Sequence, residues 1–315
     1  MREMGKKIKE LIDRLTSEIN GSGEELLKQF PVETYIDHLD HYPPTAHYRY
    51  VGPHVRSYCD GIIRKSGEKV MELYHQLVLA TLVSRAPHRP ELLKLPNDIR
   101  QLYDLNFTRI LEQIEGGRSK EGYYLYPGDK FCKDLCICRL NMIPLGAQKV
   151  YPGRMPRGFI FKNGPRQFLR GLYLLGFGTR GFKPCYRMHM DSRDRDLMKE
   201  FNPEGWKRFY DRAAKLLEIN ENIKGLCGSS WFFDPVLKEI SPELSYLREF
   251  AEERGARFFS LGPSEGDVKD ATFMSPKRIK LHKEGKYKPG GFLMVLPREQ
   301  LLKRIGPRRH EDTNV

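Results

Sequence analysis

PCYRMHMDSRDRDLMKEFNPEGWKRFYDRAAKLLEINENIKGLCGSSWFFDP, residues 184–234, decides the fold. It opens on a short alternating run, Tyr186 and Met188 on one side and a terminal His189-x-Asp191 on the other, the pattern of a strand with two different faces. A polar loop follows, and then Asn202-Pro203-Glu204, which supplies an N-cap acceptor, a first helical residue with its φ already set, and an acid at the positive end of the helix dipole. From there Trp206, Phe209, Tyr210, Ala213, Leu216 and Leu217 recur at three- and four-residue spacing, while Lys207, Arg208, Asp211 and Lys215 fall largely off that stripe. A second apolar run occupies 223–233. The stretch reads as strand, loop, helix, strand, with the helix laid on a sheet.

The pattern continues downstream. Ser241-Pro242-Glu243 repeats the helix-start logic and Gly255 ends that helix, a strand is expected over 256–261, 262–274 reads as a loop, Ser275-Pro276 starts a helix that Gly285 stops, and 291–296 is the last strand. Short-connected β-α alternation predicts an α/β fold with a mixed, largely parallel central sheet and covering helices, in which strands 256–261 and 291–296 pair in either direction. Upstream, residues 135–150 read as strands joined at a bend by Pro144 and Gly146, 150–165 as a Pro/Gly-rich loop, and 167–175 as a short helix. The glycines of 176–181 match G-x-G-x-x-G, but they precede a strand instead of opening a helix after one, which argues against a dinucleotide loop. Residues 3–19, 24–30, 61–84 and 96–115 carry amphipathic helical patterns, with a His- and Tyr-rich loop over 38–54. The expected organisation is an N-terminal helical region, 1–118, before an α/β domain, 119–315.

Composition bounds the partners. The chain has 315 residues, 39% of them hydrophobic, enough for a buried core. No apolar run approaches the roughly 18 residues needed to span a bilayer, and the first fifteen residues lack a signal-peptide core, so a cytoplasmic protein with reduced thiols and no membrane partner is expected. The net charge is +13. It is unevenly placed: 18 Lys/Arg face 17 Asp/Glu in 1–120, against 36 and 24 in 121–315. Residues 135–190 hold ten basic residues and no acid, which points to a phosphate-bearing partner beside the plainer reading of a solvated face.

The chemistry-bearing candidates cluster near the opening stretch. His189 and Asp191 share one face at the carboxyl end of a strand, where open α/β sheets bind ligands; the imidazole suits a general base and the carboxylate suits its orientation, against the alternative of a structural His and a loop-capping Asp. Ser229 and Ser230, on the next strand, offer donors to a developing oxyanion, and Trp231 a pocket wall. Cys227, inside a buried run, reads as a core thiol before it reads as a nucleophile. No metal site is expected. Neither His38, His41, His47 and His54 nor the C-x3-C-x-C of Cys132, Cys136 and Cys138 has a recognisable ligand pattern. His189 and Asp191 as two ligands of a 2-His-1-carboxylate iron site would need a second His, for which only His282 and His310 lie downstream. A basic nucleic-acid-binding module without catalysis is the non-enzymatic alternative.

The order strand 186–190, helix 203–218, strand 223–232, helix 241–254, strand 256–261 and strand 291–296 resembles the catalytic half of the GNAT superfamily of N-acyltransferases, over about 110 residues and by topology more than by motif. The segment GLCGSSWFFDPVLKEISPELSYLREFAEERGA also resembles that of a bacterial protein family. In the superfamily the donor's pyrophosphate usually rests on a Q/R-x-x-G-x-G/A loop. The corresponding segment here is SRDRDLMKEFNPEG, without those glycines, as in relatives that take their acyl group from aminoacyl-tRNA. The resemblance therefore implies transfer of an acyl or aminoacyl group from acyl-CoA or aminoacyl-tRNA to a small-molecule amine or hydroxyl. Arg154, Arg157, Lys162 and Arg166 are the expected contacts to the donor's phosphates.

Overall fold

The computed structural model describes residues 2–21, 25–41, 46–117, 120–191, 193–273 and 275–303. They form two compact units, Met1–Pro144 and Leu145–Val315.

The first unit is helical: α1 (Arg2–Gly21), α2 (Val32–Asp40), α3 (Gly52–Arg85), α4 (Asn97–Glu115) and α5 (Asp129–Cys138), followed by a two-residue strand, β1 (Ile143–Pro144). α3 is broken inside by Gly67, whose φ of 82° is open to glycine at little cost. Two expectations fail here. The apolar run expected to be strand from residue 135 instead closes helix α5 through Cys138, because Cys132, Leu135 and Cys136 sit at three- and four-residue spacing and are all buried. The stretch expected as a loop over 38–54 places His38 in α2 and His54 in the first turn of α3, while residues 42–45 lie outside the described residues.

The unit's largely apolar interior holds a buried imidazole. His75 is fully buried on α3; its Nδ1–H donates to the Tyr124 carbonyl and its Nε2 lies 2.8 Å from the Tyr35 hydroxyl, which must therefore donate. Burial drives the His75 pKa down to about 3 despite the carbonyl partner.

The second unit is built on β2 (Gln148–Arg154), β3 (Pro184–Met190), β4 (Gly225–Ser230), β5 (Arg257–Gly262) and β6 (Gly291–Pro297), in the order β2-β3-β4-β6-β5. Its helices are α6 (Gly164–Tyr173), α7 (Pro203–Ile219), α8 (Tyr246–Glu253), α9 (Glu265–Thr272) and α10 (Pro276–Lys283). The sheet is mixed, as expected, but not largely parallel: β3 and β4 are parallel, whereas β2 pairs β3, β4 pairs β6 and β5 pairs β6 antiparallel. Helix α9 is a second correction. It fills the stretch expected as a loop, capped by the Ser264 hydroxyl accepting from the Asp267 amide, so two helices separate β5 from β6. The expected loop over 150–165 likewise begins inside β2, which places Arg154 at a strand end.

The β3-α7-β4 unit is as the opening stretch requires. The Asn202 side chain accepts from the Gly205 amide, and Trp206, Phe209, Tyr210, Ala213, Leu216 and Leu217 are all buried. Gly205 is obligatory for the cap, since a Cβ there would lie 2.0 Å from the Glu200 carbonyl oxygen. No helix among the described residues is long and apolar enough to cross a membrane.

Candidate active site

The site arises from a parting of strands. β3 and β4 pair only at Tyr186 with Leu226 and Arg187 with Cys227, although β3 continues to Met190 and β4 to Ser230. Both strands remain hydrogen-bonded along their outer edges, β3 to β2 as far as Met190 and β4 to β6 as far as Ser230. Their inner edges diverge and leave a cleft of about 620 Å³. Residues 187–190 line one wall and 227–233 the other, with Asp267, Asp270 and Phe273 at the α9 side. Gly228 lets the walls approach at the floor, where a Cβ would lie 3.1 Å from the Met188 Cβ.

Four of the residues singled out from sequence meet here. His189, Ser229, Ser230 and Trp231 all line the cleft. The His189 ring stands 5.4 Å from the Tyr151 ring, across the pairing of β2 and β3. Ser229 is exposed to the cleft, whereas the Ser230 hydroxyl accepts from the Phe232 amide and so caps the turn that carries Trp231. Trp231 is buried, with its ring 4.2 Å from Phe232 on one side and the Arg278 guanidinium 4.9 Å from its centroid on another. Cys227 also lines the cleft but is buried in the apolar core together with Cys185; the neighbouring Cys227 thiol and burial together push the Cys185 pKa up.

Asp191 sits just beyond β3 in a buried ionic group. It accepts from Arg193 Nε at 2.8 Å and lies 3.8 Å from Lys149 Nζ, and Lys149 in turn pairs with Asp194. Two acids and two bases thus compensate one another where an unpaired charge would be costly. The group ties the loop after β3 back to β2 and fixes the strand end on which His189 stands.

The basic residues are placed differently. Arg154, Arg157, Lys162 and Arg166 are all exposed, and none lines the cleft, although Pro156, between the first two, does. Among the described residues the lysine or arginine lining the cleft is Arg187, which lies over the Tyr151 ring at 5.7 Å. Sequence reasoning missed Arg187, Asp267, Asp270 and Phe273. For Arg187 the signal was present, because it precedes His189 by two residues and shares its face. The other three belong to the unexpected helix α9 and the turn after it.

No family model and no curated protein matches the sequence. In structure the chain is similar to a mutant acyltransferase solved in complex with octanoyl-CoA, at 12% identity and a TM-score of 0.52, covering 94% of this chain and 87% of that one. It is also similar to an acyltransferase solved with decanoyl-CoA and teicoplanin, at 13% identity and a TM-score of 0.47, with the same coverage. The first likeness shows an acyltransferase-like fold.

Proposed function

We propose that this acyltransferase-like chain transfers an acyl group from acyl-CoA to a small-molecule amine in the cleft between β3 and β4. The observation that supports the reading is the parting itself. Two adjacent parallel strands that stop pairing turn inner-edge backbone N–H and C=O groups toward a shared slot, and an extended amide-bearing chain such as the donor's thiol arm can occupy it as a strand would.

In this reading His189 takes a proton from the acceptor ammonium or from its attacking nitrogen. The nitrogen attacks the thioester carbonyl, the C–N bond forms, the C–S bond breaks, and the electron pair leaves on the CoA sulfur, which is protonated in turn. Donors on residues 228–230 of β4, with the Ser229 hydroxyl, stabilise the carbonyl oxygen as it gains charge. Trp231 walls the acyl group, and Asp267 and Asp270 draw a cationic amine to the opposite mouth. Arg187 in the cleft, with Arg154 and Arg157 flanking Pro156, receives the phosphates. Asp191 acts through its ion pairs, as a positioning residue for the end of β3.

The test is to incubate the protein with octanoyl-CoA and a panel of primary amines, measuring release of free thiol, and to titrate octanoyl-CoA and bulk tRNA at several salt concentrations. Amine-dependent thiol release with a shallow salt dependence is expected. Steep salt dependence with binding of tRNA alone, at a log–log slope of about −0.7 to −0.9 per neutralised phosphate, would move the donor to aminoacyl-tRNA. Binding of neither removes the proposal.

A further inference from the structure

Helix α6 and the turn that follows it bury one side and leave apolar side chains on the other. Gln167, Gly171, Leu174 and Leu175 turn inward and are buried, as an amphipathic helix requires. Yet Leu169, Leu172 and Tyr173 face outward with 65%, 45% and 64% of their surface exposed, and Phe161 and Phe177 at either end are 73% and 74% exposed. The helix continues into a π turn, Leu174–Gly178, which brings Phe177 to within 5.1 Å of the Tyr173 ring and extends the outward patch. Beside it opens a groove of about 450 Å³, with Leu169, Tyr173 and Phe177 on one side and Arg257 and Phe259 on the other. Single exposed apolar side chains need no explanation, but a contiguous patch does.

The charges around the patch narrow what covers it. Arg157, Lys162, Arg166, Arg170 and Arg180 are exposed in the same segment, which belongs to the acid-free stretch 135–190. A second copy of this face in a two-fold contact would set positive charge against positive charge. A nucleic acid would answer the arginines but leave the leucines uncovered. A surface that is anionic outside and hydrocarbon just beneath answers both, and the combination of basic residues with Phe, Tyr and Leu on one outward face is that of an interfacial helix.

We propose that the outward face of residues 161–180 docks on an anionic lipid bilayer, with Leu169, Leu172, Tyr173 and Phe177 inserted at headgroup depth and Lys162 and Arg166 against lipid phosphates. This revises the expectation that the chain has no membrane partner. It does not depend on the reading of the cleft, because none of these six residues lines it.

The experiment is cosedimentation of the full chain with extruded vesicles of phosphatidylcholine alone and of phosphatidylcholine with phosphatidylglycerol, at low and high salt. Binding at least about tenfold tighter to the anionic vesicles and weakened by salt is expected, since each basic residue near such a surface contributes roughly fivefold. The triple variant Leu169→Ser/Tyr173→Ser/Phe177→Ser should lose most of that binding with an unchanged melting temperature, and Lys162→Gln/Arg166→Gln should lose a factor of about ten or more. Equal binding to both vesicle types, no binding to either, or full binding by the triple variant overturns the proposal. So does a dimer seen by light scattering that the triple variant abolishes while vesicles bind neither form, and so does tRNA binding that depends on the same arginines without any vesicle binding.

Discussion

His75 and His189 are the same side chain in two opposite settings. In the helical unit His75 has no exposed surface, both ring nitrogens are occupied by Tyr35 and Tyr124, and its pKa is driven down to about 3. In the sheet unit His189 lines an open cleft, half-buried, on a strand whose inner edge has left its neighbour. A polar group sealed in the interior contributes to one folded state, whereas one on the wall of an open cleft can meet a molecule that enters it. The residue type does not distinguish the two settings; burial does, complete around His75 and partial for His189 on the cleft wall.

The comparison can be broken most sharply at the histidines. His189→Ala should lower amine-dependent thiol release about 10²- to 10⁴-fold, as loss of a general base does, with no change in melting temperature. His75→Ala should show the reverse pattern, a lower melting temperature with turnover per folded molecule intact. Stability loss in the first variant and activity loss in the second would exchange the roles assigned here.

Trp206→Ala tests the frame that holds the cleft open. The indole is 2% exposed, in ring contact with Phe201, Phe209 and Tyr246, and its removal should cost on the order of 3–5 kcal/mol in urea unfolding. Wild-type stability in that variant would mean that the α7 face is not packed as described.

The sealed histidine also makes a pH prediction. Its folded pKa lies below the ordinary value of 6.5, so between about 6.5 and 3 the unfolded chain binds a proton that the folded chain does not, and stability falls as pH falls. From pH 7 to pH 5.5 the loss should be about 1 kcal/mol, absent in His75→Phe, as read from urea melts at the two pH values. The smallest expected effect is at the rim of the cleft. Asp270→Asn should raise KM for a cationic amine roughly twofold to fivefold, the scale of an exposed charge pair, and leave kcat alone. A neutral acceptor should show no difference.

Much of this architecture was legible from residues. The Asn202-Pro203-Glu204 start and the 206–217 stripe fix a helix between two strands, and strand alternation then sets His189 and the 229–231 segment at one end of a sheet. Two things were not legible. A short apolar run such as 135–138 carries no period long enough to separate strand from helix, and it proved helical. Helix α9 begins at Ser264 with a cap as good as Ser275's, but glycines at 262 and 266 hid it, and with it went the acidic side of the cleft. Asp191 shows a further limit. Its spacing from His189 suggests a pair, but gives no sign of its buried contacts with Arg193, next but one in the chain, and Lys149, reached only when β2 lies beside β3.

The central claim is that the parted inner edges of β3 and β4 receive the acyl donor. Ser229 is exposed on the cleft wall, so Ser229→Phe adds a ring to the slot without disturbing the core. The direct measurement is isothermal titration of octanoyl-CoA into wild type and Ser229→Phe at matched melting temperature. The account predicts saturable one-site binding to wild type, weakened at least about tenfold by the ring; equal affinity in the two proteins, or no binding to either, would contradict it.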